Sequence, residues 1–184
     1  ADRAIEHFGG LDVVVANAGI SGRVDLGADP ERARAIVETN LMGVYYTFEA
    51  ALTRMARPGR LVATGGALAE VGAAGYAAYT ASKAGVLGLV RAVAREAAAK
   101  AITANAVVPG WVDTALADER LDELGRALGK SAAEVKADAA RALPLGRFVE
   151  PAEVAAVVAF LAGPGGAAIT GQAIGVGGAS ALGG

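Results

Sequence analysis

Residues 11–16 form a short apolar run that contains three consecutive valines and is followed by Asn17, Ala18 and Gly19. A run of this length and composition predicts a strand that is buried on both faces. Strands of that kind are typical of parallel sheets, which are covered by helices on both sides. The run therefore favours an α/β architecture built on a parallel sheet.

The rest of the sequence alternates between predicted helices and strands. Asp29, Pro30 and Glu31 predict a helix start, because they supply a capping Asp, a Pro at the first helical position and an acid in the first turn. Helical spacing of apolar residues then continues to about Arg57. Further helices are predicted over 78–100, 114–142 with a break at Gly129, and 151–162, and further strands over 61–64, 102–108 and 172–176. This alternation predicts an α/β, doubly wound parallel sheet in a single domain over residues 1–184.

Tyr79 and Lys83 stand four residues apart inside the predicted helix 78–100. Positions i and i+4 share one helix face, with Cβ atoms roughly 5–6 Å apart. A neighbouring ammonium favours the phenolate and lowers the pKa of a tyrosine, whose ordinary value of about 10 is too high for efficient proton transfer at neutral pH. The pair is therefore a candidate for proton exchange with a substrate oxygen, although chance also places these residue types at this spacing on ordinary helix surfaces.

The choice of lysine at position 83 supports the chemical interpretation. The chain has four lysines against thirteen arginines, and Lys83 stands among small and apolar residues rather than on a charged face. A compact ammonium on a flexible stem suits a titrating partner better than a guanidinium does.

Composition excludes several classes of function. The formal net charge is −2 and the pI is about 5.5, without a basic stripe, so we expect no nucleic-acid partner. Cysteine is absent, which excludes disulfides and thiolate metal sites, and we expect no metal. The single histidine, His7, is predicted to lie at the surface near a helix end, so a Ser-His-Asp triad is not expected.

The sequence also bears on membranes and localisation. It begins with a charged amphipathic segment rather than a secretory signal, and we expect a cytoplasmic protein. Residues 154–184 carry no charge, but the Gly-Pro-Gly-Gly run at 163–166 divides them into pieces too short to span about 30 Å of hydrocarbon. We therefore expect no membrane association.

Several short motifs follow one another in a fixed order along the chain. They are Asn17-Ala18-Gly19 after a strand, Asn40 within a helix, Tyr79 with Lys83, Pro109-Gly110 with Thr114 after a strand, Leu143-Pro144-Leu145-Gly146-Arg147 before a helix, and Ile169-Thr170-Gly171-Gln172 before the last strand. In this order they resemble the short-chain dehydrogenase/reductase family, in its shorter single-domain branch. The resemblance covers essentially the whole chain.

The resemblance implies a Rossmann-type sheet and hydride transfer between NAD or NADP and a small or medium carbonyl or alcohol substrate. It implies that Tyr79 is the general acid/base, that Lys83 lowers its pKa and binds the nicotinamide ribose, and that Asn40 holds a water in a proton relay. The turn beside the cofactor corresponds to Asn17, Ala18 and Gly19, with Ala16 where the family usually has an asparagine. The loop that grips the nicotinamide corresponds to Pro109, Gly110, Val112 and Thr114.

Structural interpretations stay open for some of these residues. Asn40 is also compatible with a polar residue turned to solvent, Thr114 with a simple helix N-terminus, and Pro109-Gly110 with a plain turn. Tyr76 is a second aromatic candidate, but it has no lysine four residues later.

One departure from the family pattern concerns catalysis. The family places a serine thirteen residues before the tyrosine, and this chain has Gly66 there. That serine donates a hydrogen bond to the reacting carbonyl, and losing one such donor typically costs about 10²–10³ in rate. Thr64 lies two residues earlier, too far to replace it, whereas a water would fit the gap.

A second departure concerns the front of the family fold. The family begins with a strand, a Gly-rich turn of the form T-G-x-x-x-G-x-G and a helix, and no such segment occurs in this sequence. The chain corresponds to strands 4 to 7 of the family sheet, so about 60–70 residues are expected to be missing. The strand at 11–16 is then an exposed apolar edge. Three explanations are open: a fragment or mis-started reading of a full enzyme, which we favour; a natural half that pairs with another polypeptide; or a decayed, non-catalytic protein.

Two hypotheses for function follow. The first is an NAD(P)-dependent oxidoreductase, and the second is a non-catalytic, truncated protein of the same fold that acts only as an oligomerising or partner-binding module. The predicted helices 30–57 and 78–100 resemble the family's association surface, which implies a homodimer or homotetramer. Residues 114–142 resemble its substrate lid.

Within helix 78–100, a stripe of small residues predicts close packing against another backbone: Ala81, Gly85, Gly88 and Ala92.

Overall fold

The computed structural model describes residues 1–55 and 57–177. Its helices are α1 (Asp2–Phe8), α2 (Pro30–Val37), α3 (Gly43–Leu52), α4 (Leu68–Val71), α5 (Ala77–Ala97), α6 (Ala115–Leu128), α7 (Ala132–Ala142) and α8 (Pro151–Ala162). Its strands are β1 (Val13–Ala16), β2 (Gly59–Thr64), β3 (Ile102–Pro109) and β4 (Ala173–Val176). Ala56 and residues 178–184 of the predicted domain lie outside the described residues.

The four strands form one parallel sheet in the order β1-β2-β3-β4. Strand β3 lies inside the sheet, and its residues 102–108 are all buried. On one face α3 and α5 pack against the apolar side chains of the sheet, and on the other face Leu161 of α8 packs against Val62 and Val107. The predicted α/β, doubly wound arrangement, a partial Rossmann-type sheet, is confirmed.

Strand β1 corrects one expectation from the sequence. It stands at the edge of the sheet, as expected, but it is not buried on both faces: Val13 and Val15 are 40% and 41% exposed. Val14 and Ala16 on the opposite face join the main core. The reason is that α8 packs on β2, β3 and β4, so the outer valines of β1 lie beyond the area that it covers.

The predicted helix from Asp29 onwards contains a local irregularity. Asp29 accepts a hydrogen bond from the backbone amide of Arg32 at 2.9 Å, so the predicted cap is confirmed. The helical segment then passes through a π-helical turn, Glu38–Met42, before it continues as α3. It ends at Leu52 rather than near Arg57, because the chain must turn before β2 begins at Gly59. The wider π turn contains Asn40, and such turns are frequent at functional sites.

Helix α5 contains Tyr79 and Lys83 and packs against the sheet through Val86, Val90 and Val93. Of its small-residue stripe, only Gly85 packs closely, since an added Cβ there would meet Leu41 at 2.8 Å. The other three members of the stripe are exposed, and Gly85 faces the side chain of Leu41, so the predicted packing against another backbone is not found at these positions. Among the described residues, no helix has both the length and the apolar character needed to cross a bilayer.

Candidate active site

The predicted catalytic residues meet at the carboxyl-terminal edge of the sheet. Tyr79 and Lys83 lie in the first two turns of α5, and Thr64 ends the neighbouring strand β2. Open parallel sheets bind their ligands at this edge, where the chain leaves successive strands. The fold therefore places the pair where a substrate and a cofactor can approach.

Tyr79 and Lys83 lie on one side of α5, as their spacing predicts. The Lys83 Nζ atom is 5.8 Å from the centroid of the Tyr79 ring. It donates a hydrogen bond to the backbone carbonyl of Thr64 at 2.9 Å, which fixes the ammonium against the end of β2. Lys83 is 4% exposed, and an ammonium has three donors. The site thus contains a buried cation with donors to spare.

The pKa of Tyr79 is shifted in the direction opposite to the one that a neighbouring ammonium alone would produce. Burial raises the pKa of the Tyr79 hydroxyl, and the positive charge of Arg120 opposes that rise. Burial also lowers the pKa of Lys83 from 10.5 to about 8. The physical reason is that Lys83 shares the low-polarity environment of the tyrosine and directs its ammonium at Thr64.

The depressed pKa of Lys83 predicts a particular dependence of stability on pH. Below pH 8 Lys83 is charged in both the folded and the unfolded chain, and its burial costs stability. Between about pH 8 and 10.5 Lys83 is neutral in the folded chain and still protonated in the unfolded chain. The contribution of Lys83 to the free energy of unfolding therefore becomes more favourable as the pH rises. We expect Lys83→Met to raise the free energy of unfolding by about 1–3 kcal/mol at pH 7, less at pH 10.

Denaturant titrations across this pH range check the prediction. The gap in unfolding free energy between Lys83→Met and the parent should shrink as pH rises from 8 to 10. Lys130→Met is the control, because contact with Asp138 raises the pKa of Lys130 above 10.5. Lys130 therefore stays charged in the folded and the unfolded chain, and its gap in unfolding free energy should stay constant between pH 8 and 10. A gap for Lys83→Met that also stays constant with pH would show that Lys83 keeps an ordinary pKa in the folded chain.

Asn40 is buried inside the site, so the interpretation of a solvent-facing residue is wrong. Its side chain is fully buried and accepts a hydrogen bond from the Ile20 amide at 2.8 Å. Its amide nitrogen donates to the Ile20 carbonyl at 2.9 Å and to the Ser82 hydroxyl at 3.2 Å. Ser82 in turn donates to the Tyr79 carbonyl at 2.7 Å. The π turn, the loop after β1 and the start of α5 are thereby held together.

Ser82 is a residue that the sequence analysis missed. Its position three residues after Tyr79 offered a signal, because positions i and i+3 share one helix face. The structure makes it the connection between Asn40 and the helix that carries Tyr79.

The turn after β1 approaches the site closely. A Cβ added to Gly19 would lie 3.2 Å from the Asn40 Oδ1 atom and 3.5 Å from the Lys83 Nζ atom. The Asn17 side chain accepts a hydrogen bond from the Thr64 hydroxyl at 2.7 Å. The Thr64 hydroxyl therefore has no second proton to donate to another group. Ala18 lies between them and is exposed. The predicted turn residues therefore line the same edge as Lys83.

The loop after β3 contains the remaining predicted cofactor-binding residues. Pro109 ends β3 and its carbonyl accepts from the Ala67 amide at 2.9 Å, while the Gly110 amide donates to the Val176 carbonyl at 3.0 Å. Val112 forms an isolated parallel bridge with Val149. Thr114 caps α6. Thr114 is thus confirmed as the residue that begins a helix. This role leaves the rest of the loop able to contact a ligand.

Gly66 borders Tyr79 directly. A Cβ added there would be 3.2 Å from the Tyr79 hydroxyl and 3.6 Å from the Lys83 Cγ atom. A side chain at this position would therefore reach the reacting end of the tyrosine, and glycine provides no donor there.

Tyr76, the second aromatic candidate, makes a different contact. It is buried, and its hydroxyl donates to Glu123 of α6 at 3.3 Å. Burial raises its pKa, with Arg120 acting in the opposite direction. Tyr76 therefore connects α5 to α6 and has no ammonium partner of its own.

The residues present fit a nicotinamide cofactor. A buried ammonium with spare donors is suited to the hydroxyls of a ribose. A Cβ at Gly19 would crowd the Asn40 Oδ1 atom, so glycine at this position lets the turn after β1 lie close to Asn40 and Lys83. No group of acidic residues and histidine that could hold a metal ion occurs in the described part of the chain.

The chain is similar to known proteins over nearly its whole length. A family model described as enoyl-(acyl carrier protein) reductase matches residues 1–179. The 3-oxoacyl-(acyl-carrier-protein) reductase of Vibrio cholerae is 38% identical over 176 residues, which cover 94% of this chain and 68% of that protein.

Two solved structures extend the comparison. A variant of actinorhodin polyketide ketoreductase with NADPH is 36% identical, has a TM-score of 0.91 and covers 98% of this chain and 71% of its own. A short-chain dehydrogenase/reductase of the glucose/ribitol dehydrogenase type from Brucella melitensis is 30% identical, has a TM-score of 0.85 and covers 96% of this chain and 68% of its own. Both structures therefore share the fold of this chain over nearly its whole length.

Proposed function

The chain belongs to the short-chain dehydrogenase/reductase family, and from this membership we propose that it acts as an NAD(P)-dependent oxidoreductase on a small or medium carbonyl or alcohol. The observation that carries the proposal is the buried Lys83 ammonium, held at the end of β2 one helical turn from Tyr79. Relatives named as ketoacyl reductases and a structure with NADPH support this class of reaction.

In the proposed mechanism, Lys83, Gly19 and the 109–114 loop hold a nicotinamide cofactor. A bound reduced nicotinamide supplies a hydride to the carbonyl carbon. The Tyr79 hydroxyl donates its proton to the carbonyl oxygen as negative charge develops there, so the carbonyl gains one hydride and one proton and becomes an alcohol. Lys83 favours the tyrosinate that remains, and Asn40 holds the water through which Tyr79 recovers its proton.

We further propose that residues 1–184 form one domain in which residues 114–142 act as the substrate lid. Helices α6 and α7 pack on each other around a small core of their own, formed by Ala117, Leu121 and Val135 with Phe148. This core is separate from the core of the sheet. The sequence of the two helices can therefore differ between proteins that act on different substrates without disturbing the sheet.

A direct assay tests the proposed activity. The 184-residue chain matches about two thirds of the Vibrio cholerae relative, so it is assayed by itself and joined to the segment of that relative that it does not match. We expect the joined protein to bind reduced nicotinamide, seen as a change in nicotinamide fluorescence, and to oxidise it when a ketone is added. Absence of both binding and oxidation in the two proteins would overturn the proposal.

The second candidate is a non-catalytic module that associates with itself or a partner. The observation that favours it is Gly66, which removes the side-chain donor next to Tyr79. The same assay separates the two candidates, because a module of this kind oxidises no cofactor in either form.

A further inference from the structure

Arg120 of α6 lies between two aromatic rings beside the candidate active site. Its guanidinium carbon is 4.7 Å from the centroid of the Tyr76 ring and 4.5 Å from that of Trp111. Trp111 is itself stacked on Phe148, with centroids 5.0 Å apart. Since Tyr76 precedes α5 and Trp111 follows β3, the rings hold Arg120 between the two segments that border the site.

The guanidinium has unused hydrogen-bond donors. Its Nε atom is buried without a hydrogen-bond partner, and within the described part of the chain no carboxylate lies within 4.0 Å of it. Contacts with aromatic faces use the flat sides of a guanidinium and leave its in-plane N–H groups free. The nearby carboxylate of Glu123 accepts from Tyr76 instead. A buried donor without an acceptor in the protein is available to a ligand.

The charge of Arg120 acts on the proposed reaction centre. Burial raises the pKa of Tyr79, and the positive charge of Arg120 opposes that rise. Lys83 supplies a second positive charge at the same edge. Two cations, Arg120 of α6 and Lys83 of α5, therefore lie near Tyr79.

Building on the proposed function, we propose that Arg120 binds an anionic group of the substrate, so that the chain acts on carbonyl compounds that also bear a carboxylate or a phosphate. A guanidinium is suited to such groups because its planar donors match two oxygens at once. The rings of Tyr76 and Trp111 keep the guanidinium oriented before the substrate arrives, which reduces the ordering needed on binding.

Binding is measurable without catalysis, because Trp111 is the only tryptophan in the sequence. Tryptophan fluorescence of the 184-residue chain is titrated with 3-oxobutanoate, with its neutral methyl ester and with dihydroxyacetone phosphate. We expect a saturable change with at least one of the two anions and little with the ester; the two anions distinguish carboxylate from phosphate recognition. Arg120→Met should weaken the apparent affinity for the anion by about 10- to 100-fold, and Arg120→Lys should restore part of that affinity. Arg126 is an exposed arginine on the same helix. Arg126→Met is therefore the control and should leave the affinity unchanged.

Kinetics of the joined protein provide the second measurement. We expect a higher kcat/KM for the anionic substrate than for the ester, and a much larger loss of kcat/KM for the anion than for the ester in Arg120→Met. Equal responses to anion and ester in fluorescence, or equal losses on both substrates in Arg120→Met, would overturn the inference and leave Arg120 a purely structural contact. If the anion binds through Arg120 but neither substrate is reduced, the proposed function fails while this inference stands.

Discussion

Replacing Tyr79 by phenylalanine should lower kcat by about 10²–10⁴, the range that a positioned general acid contributes. The substitution removes one hydroxyl and keeps the ring that packs beside Lys83 and Gly66. Binding of reduced nicotinamide should therefore change little, and the loss should fall on the chemical step. Steady-state turnover and nicotinamide fluorescence, measured on the same joined protein, separate the two effects.

Tyr76→Phe is the matched control for this experiment. Tyr76 lies three residues earlier and is more deeply buried, and its hydroxyl donates to Glu123. We expect it to affect stability more than kcat. Turnover that survives in Tyr79→Phe, or that falls equally in both variants, would show that the acid of this reaction is another group.

Replacing Gly66 by serine should raise kcat by about 10²–10³, because it restores a donor for the reacting oxygen. The contact that the serine introduces is tight but tolerable: the new Cβ would lie 3.2 Å from the Tyr79 hydroxyl, which requires a shift of a few tenths of an ångström, and 3.6 Å from the Lys83 Cγ atom. The serine hydroxyl would then stand beside the hydroxyl that donates the proton. Initial rates of ketone reduction measure the gain.

Gly66→Ala provides the control for Gly66→Ser, because it adds the same Cβ without the hydroxyl. We expect no gain, or a small loss, from the alanine. A serine variant no faster than the alanine variant would mean that the missing hydrogen bond does not limit the reaction, with a water as the group that fills the role.

Much of the fold follows from local sequence signals. The helix start at Asp29 and the break at Gly129 lie where capping and turn chemistry predict them. The exposed face of β1 and the π turn around Asn40 were not predicted. Both depend on tertiary structure, the first on how far α8 extends over the sheet and the second on packing of the helix against its neighbours. A hydrophobic pattern records neither of these.

The site was predicted in part. The spacing of Tyr79 and Lys83 correctly placed them on one side of α5, but it did not show that burial would outweigh the attraction between a phenolate and an ammonium. Arg120 was not predicted, because it comes from a helix far along the chain. It joins the site only when α6 packs across the start of α5, and its sequence neighbours resemble those of any exposed arginine.

Transfer of a labelled hydride tests the proposed reaction most directly. Reduced nicotinamide carrying deuterium at its transferable position is incubated with the joined protein and a keto substrate, and the alcohol is examined by mass spectrometry. The proposal predicts one deuterium on the carbon that was the carbonyl, and no labelled product from Tyr79→Phe on the same timescale. An alcohol without deuterium, or no alcohol from a protein that binds the cofactor, would contradict it.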